Sequence, residues 1–125
     1  MGITGRAACR AFFSLMFAVS FGAEGFAAGA MAIGKCGAYG YAYDYAKAAR
    51  AADAAKAKCK GDCRTAVAMN HACAAFAVDM SNPCGAHGYA VQPRISKALN
   101  TASEQCYRNG GKDCVIRAWA CDAKG

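Results

Sequence analysis

The stretch CGAYGYAYDY at residues 36–45 returns 48 positions later as CGAHGYAVQP at 84–93. A short chain that writes Cys-Gly-Ala-x-Gly-Tyr-Ala twice is built from two copies of one supersecondary unit. The correspondence runs outward from the signature. GAMAIG (29–34) precedes the first copy and AAFAVD (74–79) the second, with apolar positions in agreement.

Downstream, YDYAKAARAADAAKAKC and VQPRISKALNTASEQC both read as helices ending on a cysteine. Ala48, Ala52, Ala55 and Cys59 match Ile95, Leu99, Ala102 and Cys106, a spacing that holds four side chains on one helical face and predicts that each helix docks. Asp44 is the expected N-cap of the first helix, and Pro93 suits the first turn of the second. Gly61 and the Gly110–Gly111 pair are the stops. Each helix is followed by a cysteine and a strand-like segment, CRTAVAMN (63–70) and CVIRAWA (114–120).

The sequence therefore predicts an α+β domain of two β-β-α-β repeats, with six mainly antiparallel strands and two helices. One copy of fewer than 50 residues cannot cover its own apolar face, whereas two can close on each other. Hairpins are expected between strands 1 and 2, 3 and 4, and 4 and 5, with right-handed crossovers carrying the helices. The tall side chains of the second and fifth strands are expected to form the core beneath the helices.

The N-terminal segment reads as an export signal. Arg6 and Arg10 are followed by the apolar run Ala11–Phe21 and then by small residues, with a cut after Ala27 satisfying the small-residue rule. A run of eleven residues falls short of the roughly 20 needed for a stable transmembrane anchor. No apolar stretch precedes Cys9, which disfavours a lipoprotein. The expected organisation is a signal peptide over 1–27 and one cysteine-rich domain over 28–125, its halves about 29–72 and 73–121.

Loss of Cys9 turns nine cysteines into eight: Cys36, Cys59, Cys63, Cys73, Cys84, Cys106, Cys114 and Cys121. That density in a small domain predicts disulfides and a periplasmic or extracellular location. The chain has no C-x-x-C pair and only His71 and His87 to join a metal set, so no metal or other cofactor is expected. Tracing the repeats puts Cys73 and Cys121 at one end, predicting a bridge between the copies. Cys59–Cys63 and Cys106–Cys114 would be local staples, and Cys36–Cys84 the remaining pair.

These residues resemble a bacterial secreted family, domain of unknown function 4189. The likeness spans about residues 29–121: the CGAYGYAYDY strand, the Ala-rich helix ending KCKGDC, the CAAFAVD strand and the returning CGAHGYA…CVIRAWAC half. That family's first strand usually opens with an aromatic and both its helices are alanine-rich. Here AGAMAIG lacks the aromatic, and the second helix carries Ile95 and Leu99. The resemblance implies a fold and export but brings no catalytic residues.

Candidate binding residues come from the aromatic row. Tyr39, Tyr41 and Tyr43 alternate with Ala38, Gly40 and Ala42, so one strand face is aromatic and the other nearly flat. His87 and Tyr89 repeat the row. Besides forming a core, such a row can serve as a stacking surface for a glycan or protein partner. The lone Trp119, near Arg117, would extend that surface, although its bulk suits a core anchor better.

Residues 28–125 hold thirteen Lys and Arg against seven Asp and Glu, a net +6. Lys47, Arg50, Lys56 and Lys60 form a basic stripe along the first helix, an ordinary solvated face or a contact for an anionic surface polymer. No nucleic-acid motif is present, which makes that partner unlikely. No nucleophile, acid–base pair or paired carboxylates stand out, and a non-catalytic binding module in the bacterial envelope or outside the cell is expected. A small inhibitor or immunity-type protein acting on an envelope hydrolase or toxin, presenting the turn at 79–88, is the alternative.

Overall fold

The computed structural model describes residues 28–122; the expected signal segment lies outside them. The elements run β1 (Ala28–Gly34), β2 (Tyr39–Tyr45), α1 (Ala48–Lys58), β3 (Cys63–Asn70), β4 (Cys73–Asp79), β5 (His87–Gln92), α2 (Ile95–Arg108) and β6 (Cys114–Cys121). This is the expected α+β domain of two β-β-α-β halves. Each half forms its own three-stranded sheet, ordered β2-β1-β3 and β5-β4-β6, with every pairing antiparallel.

The first strand of each half lies at the centre of its sheet, so the helix crosses over it to join the two edge strands. β1 and β4 are consequently covered on both faces, and all seven residues of β4 are buried. Three apolar layers result. Ala30, Ala32 and Ala42 pack with Ala51 and Ala55 under α1. Ala75, Ala77 and Ala90 pack with Ala98, Ala102 and Cys106 under α2. Between the sheets lie Met31, Ile33, Met69, Phe76 and Val78. The order of layers is helix, sheet, sheet, helix.

Several expectations are corrected by this arrangement. The helices cover the small-residue faces, and the tall faces meet each other or border the gap between the sheets. The reason is close approach: a Cβ on Gly40 would run into the Ala55 carbonyl oxygen, and one on Gly88 into that of Ala102. The glycine inside each signature thus lets the helix backbone rest on the strand. The buried helical positions are Ala51 and Ala55, and Ala98, Ala102 and Cys106, whereas Ala48 is exposed.

β3 and β4 do not form a hairpin, because β4 already has a partner on each edge. The turn at His71 and Ala72 instead passes the chain from one sheet to the other. His71 takes a φ of 52°, its N–H donates to Asp122 Oδ2 at 3.2 Å, and the Asp122 N–H donates to the Ala72 carbonyl at 2.9 Å.

Asp44 does not cap α1. It has a φ of 66° at an irregularity in the β1–β2 ladder, and the N-cap is Lys47. This bulge breaks the alternation and places Tyr45 with the alanines under α1. Pro93 precedes the N-cap Arg94, so it stands outside the first turn of α2.

All four expected cysteine pairs form: Cys36–Cys84, Cys59–Cys63, Cys73–Cys121 and Cys106–Cys114. One role is reversed. Cys73 and Cys121 are cross-strand neighbours in the second sheet, so their bridge lies within one half. The bond that joins the halves is Cys36–Cys84, between the opening residues of the two signatures.

Candidate binding trough

On β2 the alternation leaves Tyr39, Tyr41 and Tyr43 on the face turned toward the second sheet. Their rings stand nearly parallel, with centroids 6.4 and 6.3 Å apart. Tyr39 packs against the core, while Tyr41 and Tyr43 are 38% and 48% exposed. Edge strand β6 runs beside them. Its register shift between Ile116 and Ala118 sets Arg117 out of the ladder.

Arg117 reaches across to the first half. Its Nε–H donates to the Gly37 carbonyl at 3.1 Å, and its guanidinium lies 5.5 Å from the Tyr39 ring centroid. Two concavities line up along this seam. One, of about 570 Å³, is bordered by Tyr39, Tyr41, Lys58, Lys60 and Arg117 above the Gly37–Gly40 backbone. The next, of about 460 Å³, is bordered by Tyr41, Tyr43, Trp119 and Ala120. Tyr41 borders both, so they form one open trough, cationic at one end and aromatic along its length.

Trp119 is therefore not a core anchor. Ala118 and Ala120 point between the sheets, and Trp119, facing the other way on an edge strand, is 55% exposed. His87 and Tyr89 are not brought to the tyrosine row. They stack on each other at 6.4 Å on β5, and line a separate concavity of about 230 Å³ with Lys35, Asp62 and Arg64. His87 also meets Phe76 edge-on at 5.8 Å.

The basic residues divide as well. Lys47, Arg50 and Lys56 are exposed on α1 or at its start, and Lys60 stands at the trough. The sequence reading missed Lys58, whose place is set by the helix end, and did not tie Arg117 to Tyr39, which lies 78 residues away.

The polar centre of the neighbouring loop is Asp79, buried at the end of β4. Its carboxylate accepts from the Ser81 hydroxyl at 2.7 Å and from the N–H groups of Ser81, Lys112 and Asp113 at 3.0, 3.3 and 3.1 Å. The Ser81 hydroxyl, aided by these backbone donors, holds its pKa below the ordinary value against the opposing effect of burial. Asp79 thereby fixes the 80–86 loop against the α2–β6 turn.

No curated protein and no solved structure matches the chain at a significant level. A family profile does match, over residues 28–121, the two sheets and two helices just described. The chain belongs to that family, the Domain of unknown function (DUF4189).

Proposed function

We propose that the protein is an exported, non-catalytic binding module that takes an extended envelope or extracellular glycan along the β2–β6 trough. The observation that carries this reading is the open ladder of Tyr39, Tyr41 and Tyr43, whose parallel rings border a concavity that the exposed Trp119 also borders. Tyrosine and tryptophan offer apolar area with a polar tip and few rotatable bonds, which limits the entropy lost on binding.

Four disulfides suit an oxidising compartment, either the periplasm or the cell exterior. Among the described residues no helix is long and apolar enough to cross a membrane.

Trp119 is the chain's single tryptophan, so its fluorescence reports on the trough directly. Titration with envelope oligosaccharides should change its emission, and Tyr41→Ala, which removes the wall shared by both concavities, should weaken binding about tenfold or more. Unchanged emission with every oligosaccharide counts against the reading.

A second reading, inhibition of an envelope hydrolase or toxin, is favoured by the 80–86 loop. It is exposed from Met80 to Gly85, yet pinned by Asp79 at one end and by the Cys36–Cys84 bond at the other. A partner captured through this loop would be insensitive to Tyr41→Ala and lost on altering 79–88.

A further inference from the structure

We infer that the cationic end of the trough seats an oxyanion carried by the glycan, so that the ligand is an acidic saccharide. This inference rests on the tyrosine-trough reading above and adds the chemical class.

Arg117 is already oriented before any ligand arrives. Its Nε–H is committed to the Gly37 carbonyl and its plane is held near Tyr39. Among the described residues its terminal nitrogens have no hydrogen-bond partner, leaving the paired donors that match a carboxylate or phosphate edge. Lys58 and Lys60 border the same concavity, which no acidic residue lines among the described residues. Among the described residues the only ion pair is Arg64–Asp62, and neither of its members lines this concavity. Three cations here thus face open space without a carboxylate partner.

The equivalent concavity of the other half differs in that respect. There a carboxylate stands among the cations, Asp62 accepting from Arg64 at 3.1 Å beside Lys35, and Val91 stands where the first half has Tyr43. Of these two seats, among the described residues, the one at Tyr39 and Tyr41 is lined by cations without a carboxylate.

The lining also selects between kinds of extended anion. Among the described residues the trough offers rings, hydroxyls and cations, but no aliphatic side chain larger than alanine. An extended peptide needs pockets for its alternate side chains. A sugar ring with an apolar C–H face, a hydroxyl rim and an acid group finds a partner for each.

The test titrates the oxidised protein with a hexuronate trisaccharide, the neutral hexose trisaccharide of the same linkage, a phosphorylated hexose oligomer and an acidic peptide, by calorimetry and Trp119 emission. The expected result is that an acidic saccharide binds about tenfold or more tightly than the neutral one. The preference should weaken as salt is raised. The stronger of the carboxylate and phosphate arms identifies the acid group. Arg117→Gln, and independently Lys58→Gln with Lys60→Gln, should bring the ratio of acidic to neutral affinity down toward one, the ratio being read within each variant so that any change in neutral binding or stability cancels.

Equal binding of acidic and neutral sugars, unaffected by these changes, overturns the oxyanion seat and leaves the tyrosine trough standing. Tighter binding of the acidic peptide than of either acidic saccharide overturns the saccharide assignment. Binding of none of the four overturns both.

Discussion

Cys36 and Cys84, the opening residues of the two repeated signatures, are bonded to each other, and theirs is the disulfide that crosses between the halves. The remaining three bridges lie within one half. Replacing Cys36 and Cys84 with serine should therefore loosen the sheet–sheet interface first. Their separation of 48 residues corresponds to about 4 kcal/mol of chain entropy, against about 2 kcal/mol for the Cys59–Cys63 loop with its separation of four. Guanidinium unfolding of the two paired variants should show the larger loss for Cys36/Cys84.

Gly40 and Gly88 make a second prediction. Each lies beneath a helix carbonyl, so Gly40→Ala and Gly88→Ala must push α1 or α2 away from its sheet. Each should cost about 1–3 kcal/mol in urea unfolding, the scale of overpacking in a tight core. Alanine tolerated without loss at both positions would contradict helix docking on the flat faces.

Phe76 and Trp119 separate core from surface. Phe76 is fully buried between the sheets, and Phe76→Ala should cost about 3–5 kcal/mol. Trp119→Ala should change stability by less than about 1 kcal/mol. Iodide should quench Trp119 readily, since the ring is exposed and basic residues stand along the neighbouring stretch of the trough.

Asp79 should make the loop at 80–86 acid-sensitive. Its folded pKa is held below the ordinary carboxylate value, chiefly by the Ser81 hydroxyl and then by backbone N–H groups. The stabilisation is therefore fully present above the unfolded pKa and fades as pH falls through the lower folded value. Asp79→Asn should be less stable than the parent at pH 7, and the gap between their urea midpoints should close in strong acid. A gap that widens on acidification would contradict this sign.

Much of the fold is legible in the sequence because the chain repeats itself. Strand-like alternation, two helical segments closing on cysteines and the doubled signature specify six strands, two helices and four cysteine pairs. Alternation along CGAYGYAYDY also shows that one face is tall and the other flat. What it cannot show is which element covers which face, and Gly40 decides that only once Ala55 is above it. The same gap explains the misplaced hairpin: nothing local to His71 reveals that β4 has both edges occupied.

The trough was only partly legible. The tyrosine spacing marks a surface, but the residues that give it charge come from a helix end and from a strand of the other half. Lys58 and Lys60 look like two more cations of a solvated helix, and Arg117 like an ordinary strand residue. Their convergence depends on β2 lying beside β6, a relation between halves that no local spacing records. His87 and Tyr89 mimic the tyrosine row in sequence for the same reason that they stand apart from it in space: they belong to the other copy.

The most direct test of two halves closing face to face is peptide mapping of the unreduced protein. The account predicts a fragment in which the Cys36 peptide is covalently joined to the Cys84 peptide, together with Cys59–Cys63, Cys73–Cys121 and Cys106–Cys114. Cys36 and Cys84 recovered as free thiols, or each joined to a cysteine of its own half, would contradict it.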